Sequence, residues 1–146
     1  MSSSLRPARR ADLDAVLAVA AACPFSARWS RRQCEEEIDF PDSVFAVWED
    51  GPVRGYLLAR RVLAEVQVLD LAVRPGDQGR GLGRALLEHA AAAARAWGCA
   101  KLTLEVSAAN APAQRLYLRA GFQVVGRRRK FYNDGSDAIL MDRPLA

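Results

Sequence analysis

Leu71-Ala72-Val73-Arg74-Pro75-Gly76-Asp77-Gln78-Gly79-Arg80-Gly81-Leu82-Gly83 joins two different periodicities. Residues 66–73 read as a strand, and Arg74-Pro75-Gly76-Asp77 is a strong turn signal. From Leu82 the apolar series Leu82, Ala85, Leu86, His89, Ala90, Ala93, Trp97 repeats at helical spacing, and Gly98 stands where a helix stops. Strand, glycine-rich loop and helix in that order form a device for binding phosphate. Glycines permit the φ/ψ values that turn successive N–H groups inward, and a helix N-terminus adds about half a positive charge. Two familiar phosphate loops are excluded. GxxxxGK[ST] is absent, and the sixth residue of a dinucleotide fingerprint is Arg84 counted from Gly79 and Leu86 counted from Gly81, so both registers fail.

Outward from this loop the chain alternates between the two periods. Residues 5–7 suit a short edge strand and residues 11–22 a helix that Cys23-Pro24-Phe25 ends. Ser30 with Gln33 three residues on is a capping box for a second helix, stopped by Pro41-Asp42. Strands follow at 43–49 and 53–62, joined by the turn Asp50-Gly51-Pro52, then at 66–73. Beyond the loop and its helix come a strand at 101–106, a helix at 110–120 closed by Gly121, and strands at 122–129 and 138–143 around Asn133-Asp134-Gly135. The order βααβββαβαββ is a mixed α/β arrangement of the α+β type, expected as a single domain over 1–146.

Two motifs carry a family resemblance. Gln78-x-x-Gly81-x-Gly83 after Leu71-Ala72-Val73 resembles the cofactor-binding signature of the GNAT superfamily of acyl-CoA-dependent N-acetyltransferases. Asn110-Ala111-Pro112-Ala113-Gln114-Arg115-Leu116-Tyr117 followed by Gly121-Phe122 resembles that superfamily's second signature, N-x-x-A-x-x-L-Y-x-x-x-G-F, in the right order and at a fitting distance. The resemblance implies a central mixed sheet flanked by helices and splayed between the strands ending at Val73 and Val106. It implies that acetyl-CoA lies against Leu71, Ala72, Val73, Gln78, Gly79, Arg80, Gly81, Leu82, Gly83, Arg84, Asn110 and Tyr117. Pro24-Phe25-Ser26 with Trp29-Ser30, Leu104-Glu105-Val106, and Phe131-Tyr132 with Asp137-Ala138 and Met141 look like the RimI-like group, bacterial enzymes that acetylate the N-terminal alanine of a ribosomal protein. By that resemblance Glu105 is the general base, Tyr117 the general acid, and Phe25 and Tyr132 border the acceptor.

Those residue types suit the reaction. An α-amine with a pKa near 8 is mostly ammonium at neutral pH and cannot attack a thioester until a carboxylate collects its proton. A phenol can protonate the departing thiolate, and the resemblance implies that the backbone N–H of Val73 polarises the thioester carbonyl, a donor typically worth about 3 kcal/mol. Each residue also has a plainer reading. Glu105 suits the solvent side of a strand, Tyr117 a core aromatic, and Asn110 an N-cap, a role compatible with a CoA contact. Phe131 and Tyr132 suit either a channel wall or simple packing. One position departs from the RimI-like pattern E-I-L-N-I-A-V: the stretch here is Gln67-Val68-Leu69-Asp70-Leu71-Ala72-Val73, with Gln67 in place of the acid and Asp70 where Asn is common.

Composition bounds the rest. The chain has 146 residues, 51% of them apolar and 26% charged, with 21 Lys+Arg against 17 Asp+Glu, a formal +4. These values describe a folded globular protein and name no particular anionic partner. No apolar run reaches the length of a membrane span. Arg6, Arg9 and Arg10 precede an apolar stretch as in a secretory signal, but Asp12, Asp14 and the helical spacing of Leu13, Val16, Leu17 and Ala20 favour a folded helix and a cytoplasmic protein. Cys23, Cys34 and Cys99 are odd in number and widely spaced, and His89 is the single histidine, so neither a disulfide framework nor a metal site is expected. Arg127-Arg128-Arg129-Lys130 reads as solvated surface near an edge or loop rather than a nucleic-acid site. The expected function is acetyl transfer to a primary amine, foremost a ribosomal protein's N-terminal alanine. The alternatives are a small-molecule amine or lysine acetyltransferase, a CoA binder without catalysis, and a nucleic-acid-binding module. The oligomeric state cannot be read from the sequence.

Overall fold

The computed structural model describes residues 3–145, so residues 1, 2 and 146 of the expected domain lie outside the described residues. Strand β1 (Ser4–Pro7) leads into helix α1 (Leu13–Ala22), α2 (Arg31–Asp39), and strands β2 (Ser43–Glu49), β3 (Val53–Val62) and β4 (Glu65–Val73). Then come α3 (Leu82–Ala96), β5 (Lys101–Ser107), α4 (Ala111–Arg119), β6 (Gln123–Arg128) and β7 (Ala138–Pro144). The order is the one expected, and the differences lie at the ends. The first helix opens as a 3₁₀ turn, Arg10–Asp12, because Asp12 is held by Arg6 and accepts from the Arg9 N–H at 2.8 Å. The α3 hydrogen bonds end with Trp97 as C-cap, and Gly98 leaves the helix at φ +73°. Strand β6 is shorter than 122–129. Phe122 is buried with its N–H on the Tyr117 carbonyl, and the chain turns away at Lys130, φ +49°. The capping box forms as expected, with the Gln33 N–H donating to Ser30 Oγ at 3.1 Å and the Ser30 N–H to Gln33 Oε1 at 2.8 Å.

The strands make one seven-stranded sheet in the order β1-β2-β3-β4-β5-β7-β6. Every neighbouring pair is antiparallel except β4 and β5. That parallel pair runs only from Glu65↔Lys101 to Val68↔Leu104. Beyond it β4 stays bonded to β3 and β5 to β7, so the sheet opens into a wedge between the halves ending at Val73 and Ser107. The splay implied by the resemblance is present.

A bulge sits at the root of the wedge. Leu58 faces Asp70 and Ala59 faces Val68, which leaves Leu69 as the extra residue of β4. The main core gathers Leu86, Leu87, Ala90 and Ala91 of α3 with Val66, Val68, Leu102, Leu104, Ile139 and Met141. The second core packs Leu13, Val16 and Val19 of α1 and Cys34 of α2 on the other face, against Val47, Tyr56, Leu58 and Ala72. Val66 and Val68 therefore face α3, whereas Ala72 faces α1 and Leu71 and Val73 return to the α3 side. The extra residue shifts the parity of the strand by one and turns the Asp70 side chain towards α1, α2 and the loop between them.

Candidate active site

The floor of the wedge is set by β4. The Arg74 N–H donates to the Arg54 carbonyl at 2.8 Å. Because N–H directions alternate along an antiparallel strand, those of Leu71 and Val73 point the other way, towards the space that β5 has left. At the strand's end the Val73 carbonyl accepts from Gln78 Nε2 at 3.0 Å and from the Cys23 thiol at 3.3 Å, fixing the start of the loop against β4.

The loop itself is built as a cradle. Gly79 and Gly81 have φ of +80° and +84°, values a side chain disfavours, and Gly81 is the N-cap of α3. Among the described residues no backbone N–H from 79–84 donates to another group of the chain. A Cβ on Gly83 would come within 2.9 Å of Leu116 Cδ2, so its lack of a side chain lets the first turn of α3 lie against α4. Asp77, 3% exposed, braces the loop from behind, facing Arg54 Nη1 at 3.1 Å, Arg74 Nε at 2.9 Å and Arg80 Nη1 at 3.5 Å. Burial alone would raise its carboxyl, but the Arg54 and Arg74 hydrogen bonds outweigh it and hold the group below the usual carboxylate range. Converging amides, a helix N-terminus and spare arginine charge fit a pyrophosphate.

The opposite wall comes from β5 and α4. Leu102, Leu104 and Val106 point into the main core, which sends Glu105 to the other face, where its carboxylate lies 3.5 Å from Arg128 Nη2 of β6. Asn110 caps α4 through the Ala113 N–H at 3.3 Å, and Gln114 Nε2 ties down the Ser107, Ala108 and Asn110 carbonyls at 3.1, 3.0 and 3.3 Å. Tyr117 leans edge-on against Phe122, ring centres 5.7 Å apart, and its hydroxyl makes no hydrogen bond within the described residues. Burial, then the charges of Asp70 and Tyr132, push its phenol well above the usual tyrosine value, so it stays a proton donor at neutral pH. Tyr132 in turn is raised by burial and then by the charge of Glu105. The charge of Asp70 thus acts on Tyr117 and that of Glu105 on Tyr132.

The two residues expected to border the acceptor lie in loops. Phe25, 48% exposed, sits between α1 and α2, and Tyr132 sits between β6 and β7, edge-on to Phe131 with ring centres 5.1 Å apart. The positions expected for the cofactor, 71–73, 78–84 and Asn110, lie along β4, the loop that follows it and the α4 start, with Glu105 on β5, whereas Tyr117 of α4 is 8% exposed and packs in the main core. Surface cavities of about 240 and 460 Å³ lie elsewhere and are lined by none of Asp70, Glu105 and Tyr117. Sequence reading missed Asp77 and also Tyr56, whose buried hydroxyl donates to the Asp70 carboxylate. A signal for Asp77 was available in its setting among Arg74 and Arg80, whereas Tyr56 reads only as a core aromatic.

The model of the Acetyltransferase (GNAT) family matches residues 12–122. An Escherichia coli (strain K12) ribosomal protein bS18-alanine N-acetyltransferase is 40% identical over 105 residues, 70% of this chain and 71% of that protein. A Bacillus subtilis (strain 168) relative, whose name as the same kind of enzyme is provisional, is 32% identical over 142 residues, 95% of this chain and 93% of that protein. The crystal structure of the Escherichia coli enzyme superposes with a TM-score of 0.87 at 31% identity, covering 99% of this chain and 95% of that one.

Proposed function

Because the chain belongs to the acetyltransferase (GNAT) family, we propose that it transfers the acetyl group of acetyl-CoA to a primary amine, the N-terminal alanine α-amine of a ribosomal protein, as one domain acting in the cytoplasm. The observation that carries this reading is that, among the described residues, no backbone N–H from 79–84 donates within the chain, in the loop that follows the strand parted from β5 beyond Val68. Similarity to ribosomal protein alanine N-acetyltransferases over 70–95% of the chain supports the choice of acceptor.

When bound, acetyl-CoA supplies an activated thioester. The amides of Gly79, Arg80, Gly81, Leu82, Gly83 and Arg84 hold its pyrophosphate at the α3 N-terminus, with Arg74 and Arg80 adding charge. Gln78 and Asn110 shape the two ends of the cleft, and Leu71, Ala72 and Val73 form the strand along which the acyl arm extends. The Val73 N–H donates to the carbonyl oxygen as negative charge grows on it. Glu105 takes one proton from the incoming ammonium, directly or through a water, freeing the lone pair that forms the new amide. Tyr117 gives its hydroxyl proton to the departing sulfur as the thioester bond breaks, and the second proton that the nitrogen sheds on becoming an amide returns to the Tyr117 oxygen, so that one proton in all remains on Glu105. Phe25 and Tyr132 border the acceptor chain.

Initial rates of CoA release with an Ala-initiated peptide, its N-terminally blocked copy and a panel of free amines test the reading. Turnover confined to the unblocked peptide, falling about 10²- to 10⁴-fold in Glu105→Gln, is expected. Turnover confined to free amines would keep the acetyltransferase and discard the ribosomal acceptor.

A further inference from the structure

Among the described residues four acidic side chains are buried: Asp12, Glu37, Asp70 and Asp77. Three have an arginine. Asp12 faces Arg6 at 2.8 Å through both oxygens, Glu37 is bonded to Arg60, and Asp77 is surrounded by Arg54, Arg74 and Arg80. Asp70, 8% exposed, has no cation within ion-pair distance among the described residues. Its partners are neutral and all donate to Oδ2: Ser26 Oγ at 3.0 Å, Trp29 Nε1 at 2.9 Å and the Tyr56 hydroxyl. No donor of the described chain reaches Oδ1, and that oxygen is not among the buried polar atoms sealed without a partner.

A buried carboxylate without a counter-charge is costly, and folded chains seldom leave one so. The position of this one says what it awaits. Asp70 stands two residues beyond the last β4–β5 pair, on the face that the Leu69 bulge turns towards the α1–α2 loop and on the same face as Glu105. Ser26 and Trp29 belong to that loop and neighbour Phe25, so the network locks an acceptor-side wall to the strand. Its negative charge is one of the causes that raise the Tyr117 phenol.

We propose that Asp70 is a specificity-determining residue whose Oδ1 receives the ammonium of the acceptor, supplying the missing half of a buried ion pair. Asp70 takes no proton. It selects a charged primary amine and holds it beside Glu105, which removes the proton. This inference rests on the reading of the chain as a primary-amine acetyltransferase and names the group that recognises the amine.

The test is a two-by-two comparison by calorimetry at saturating CoA, where no turnover occurs. An Ala-initiated peptide and a copy with propionyl in place of alanyl, the same shape without the ammonium, are titrated into the wild type and into Asp70→Asn. Asparagine can accept the same three hydrogen bonds, and the Tm checks that the fold is kept. The wild type is expected to prefer the ammonium peptide by about tenfold or more, and Asp70→Asn to bring that ratio to about one. Ser26→Ala, which removes a donor and leaves the charge, should keep the wild-type ratio. A ratio unchanged in Asp70→Asn, or lost equally in Ser26→Ala, would overturn the proposal. Wild-type turnover separates this from the parent reading: if only a free amine is acetylated, that amine and its uncharged isostere replace the peptides, and silence with every amine overturns both readings.

Discussion

Arg128 of β6 reaches past β7 to Glu105 of β5, Nη2 to Oε1 at 3.5 Å, so the carboxylate assigned as base already has a cation beside it. An incoming ammonium must compete with that guanidinium. Arg128 is 56% exposed at its side chain, and such pairs are worth at most about 1 kcal/mol. Arg128→Gln is therefore expected to raise kcat/KM for the amine by about two- to fivefold and to leave the KM for acetyl-CoA unchanged. Initial rates against both substrates measure this, and a drop in kcat/KM would instead give Arg128 a positive role in acceptor binding.

Tyr117→Phe isolates one hydroxyl. The ring's edge-on contact with Phe122 is kept, and the oxygen it loses has no partner in the described chain, so Tm should hold or rise slightly. Loss of the proton donor should lower kcat by about 10²-fold with acetyl-CoA binding intact. Single-turnover rates paired with CoA titration check the split. A substitution that weakened CoA binding while sparing kcat would make Tyr117 a cofactor contact only.

The strand–loop–helix and the second signature were legible because glycine positions and helical spacing are local properties of the sequence. Glu105 was legible too, since Leu102, Leu104 and Val106 alternate with it by simple parity. The basic run fell at an edge as its two-faced charge required, with β6 outermost in the sheet. Asp70 was not legible as a site residue. Val66, Val68, Asp70 and Ala72 are all buried at regular spacing, so counting along β4 puts Asp70 in the α3 core. The bulge at Leu69 reverses the face without disturbing that spacing, and its place is decided by pairing with β3. A second bulge, where Val125 is extra against Met141 and Leu140, sets how β6 meets β7, and the Arg128–Glu105 pair spans strands whose juxtaposition no local pattern encodes.

Gly81→Ala tests the cradle. Nothing lies within 4 Å of the added Cβ, so the cost comes from φ +84° alone. Holding alanine there costs about 1–2 kcal/mol, or roughly 3–8 °C in Tm at this chain length, and any relaxation of φ would misdirect the loop amides and raise the KM for acetyl-CoA. Gly76→Ala is the control, since its Cβ also meets nothing and its φ lies outside the left-handed range. Equal Tm and KM in the two variants would show that the left-handed loop is not required.

His89 gives the fold a pH dependence of its own. It lies on α3 beside the cavity lined by Ala93, Trp97 and Glu37, and burial lowers its pKa below the ordinary value near 6.5. The unfolded chain then binds a proton more readily than the folded one as pH falls through 6.5. Stability is full above that value and is lost on the way down towards the folded pKa. Glu37 is paired with Arg60, and the carboxyls of Asp12 and Asp77, both held below their usual range, titrate at more acid pH, leaving the interval just below 6.5 to the imidazole. Urea midpoints should fall between pH 7.5 and 5.5 in the wild type and stay level in His89→Gln. The same slope in both proteins would move the titration to another group.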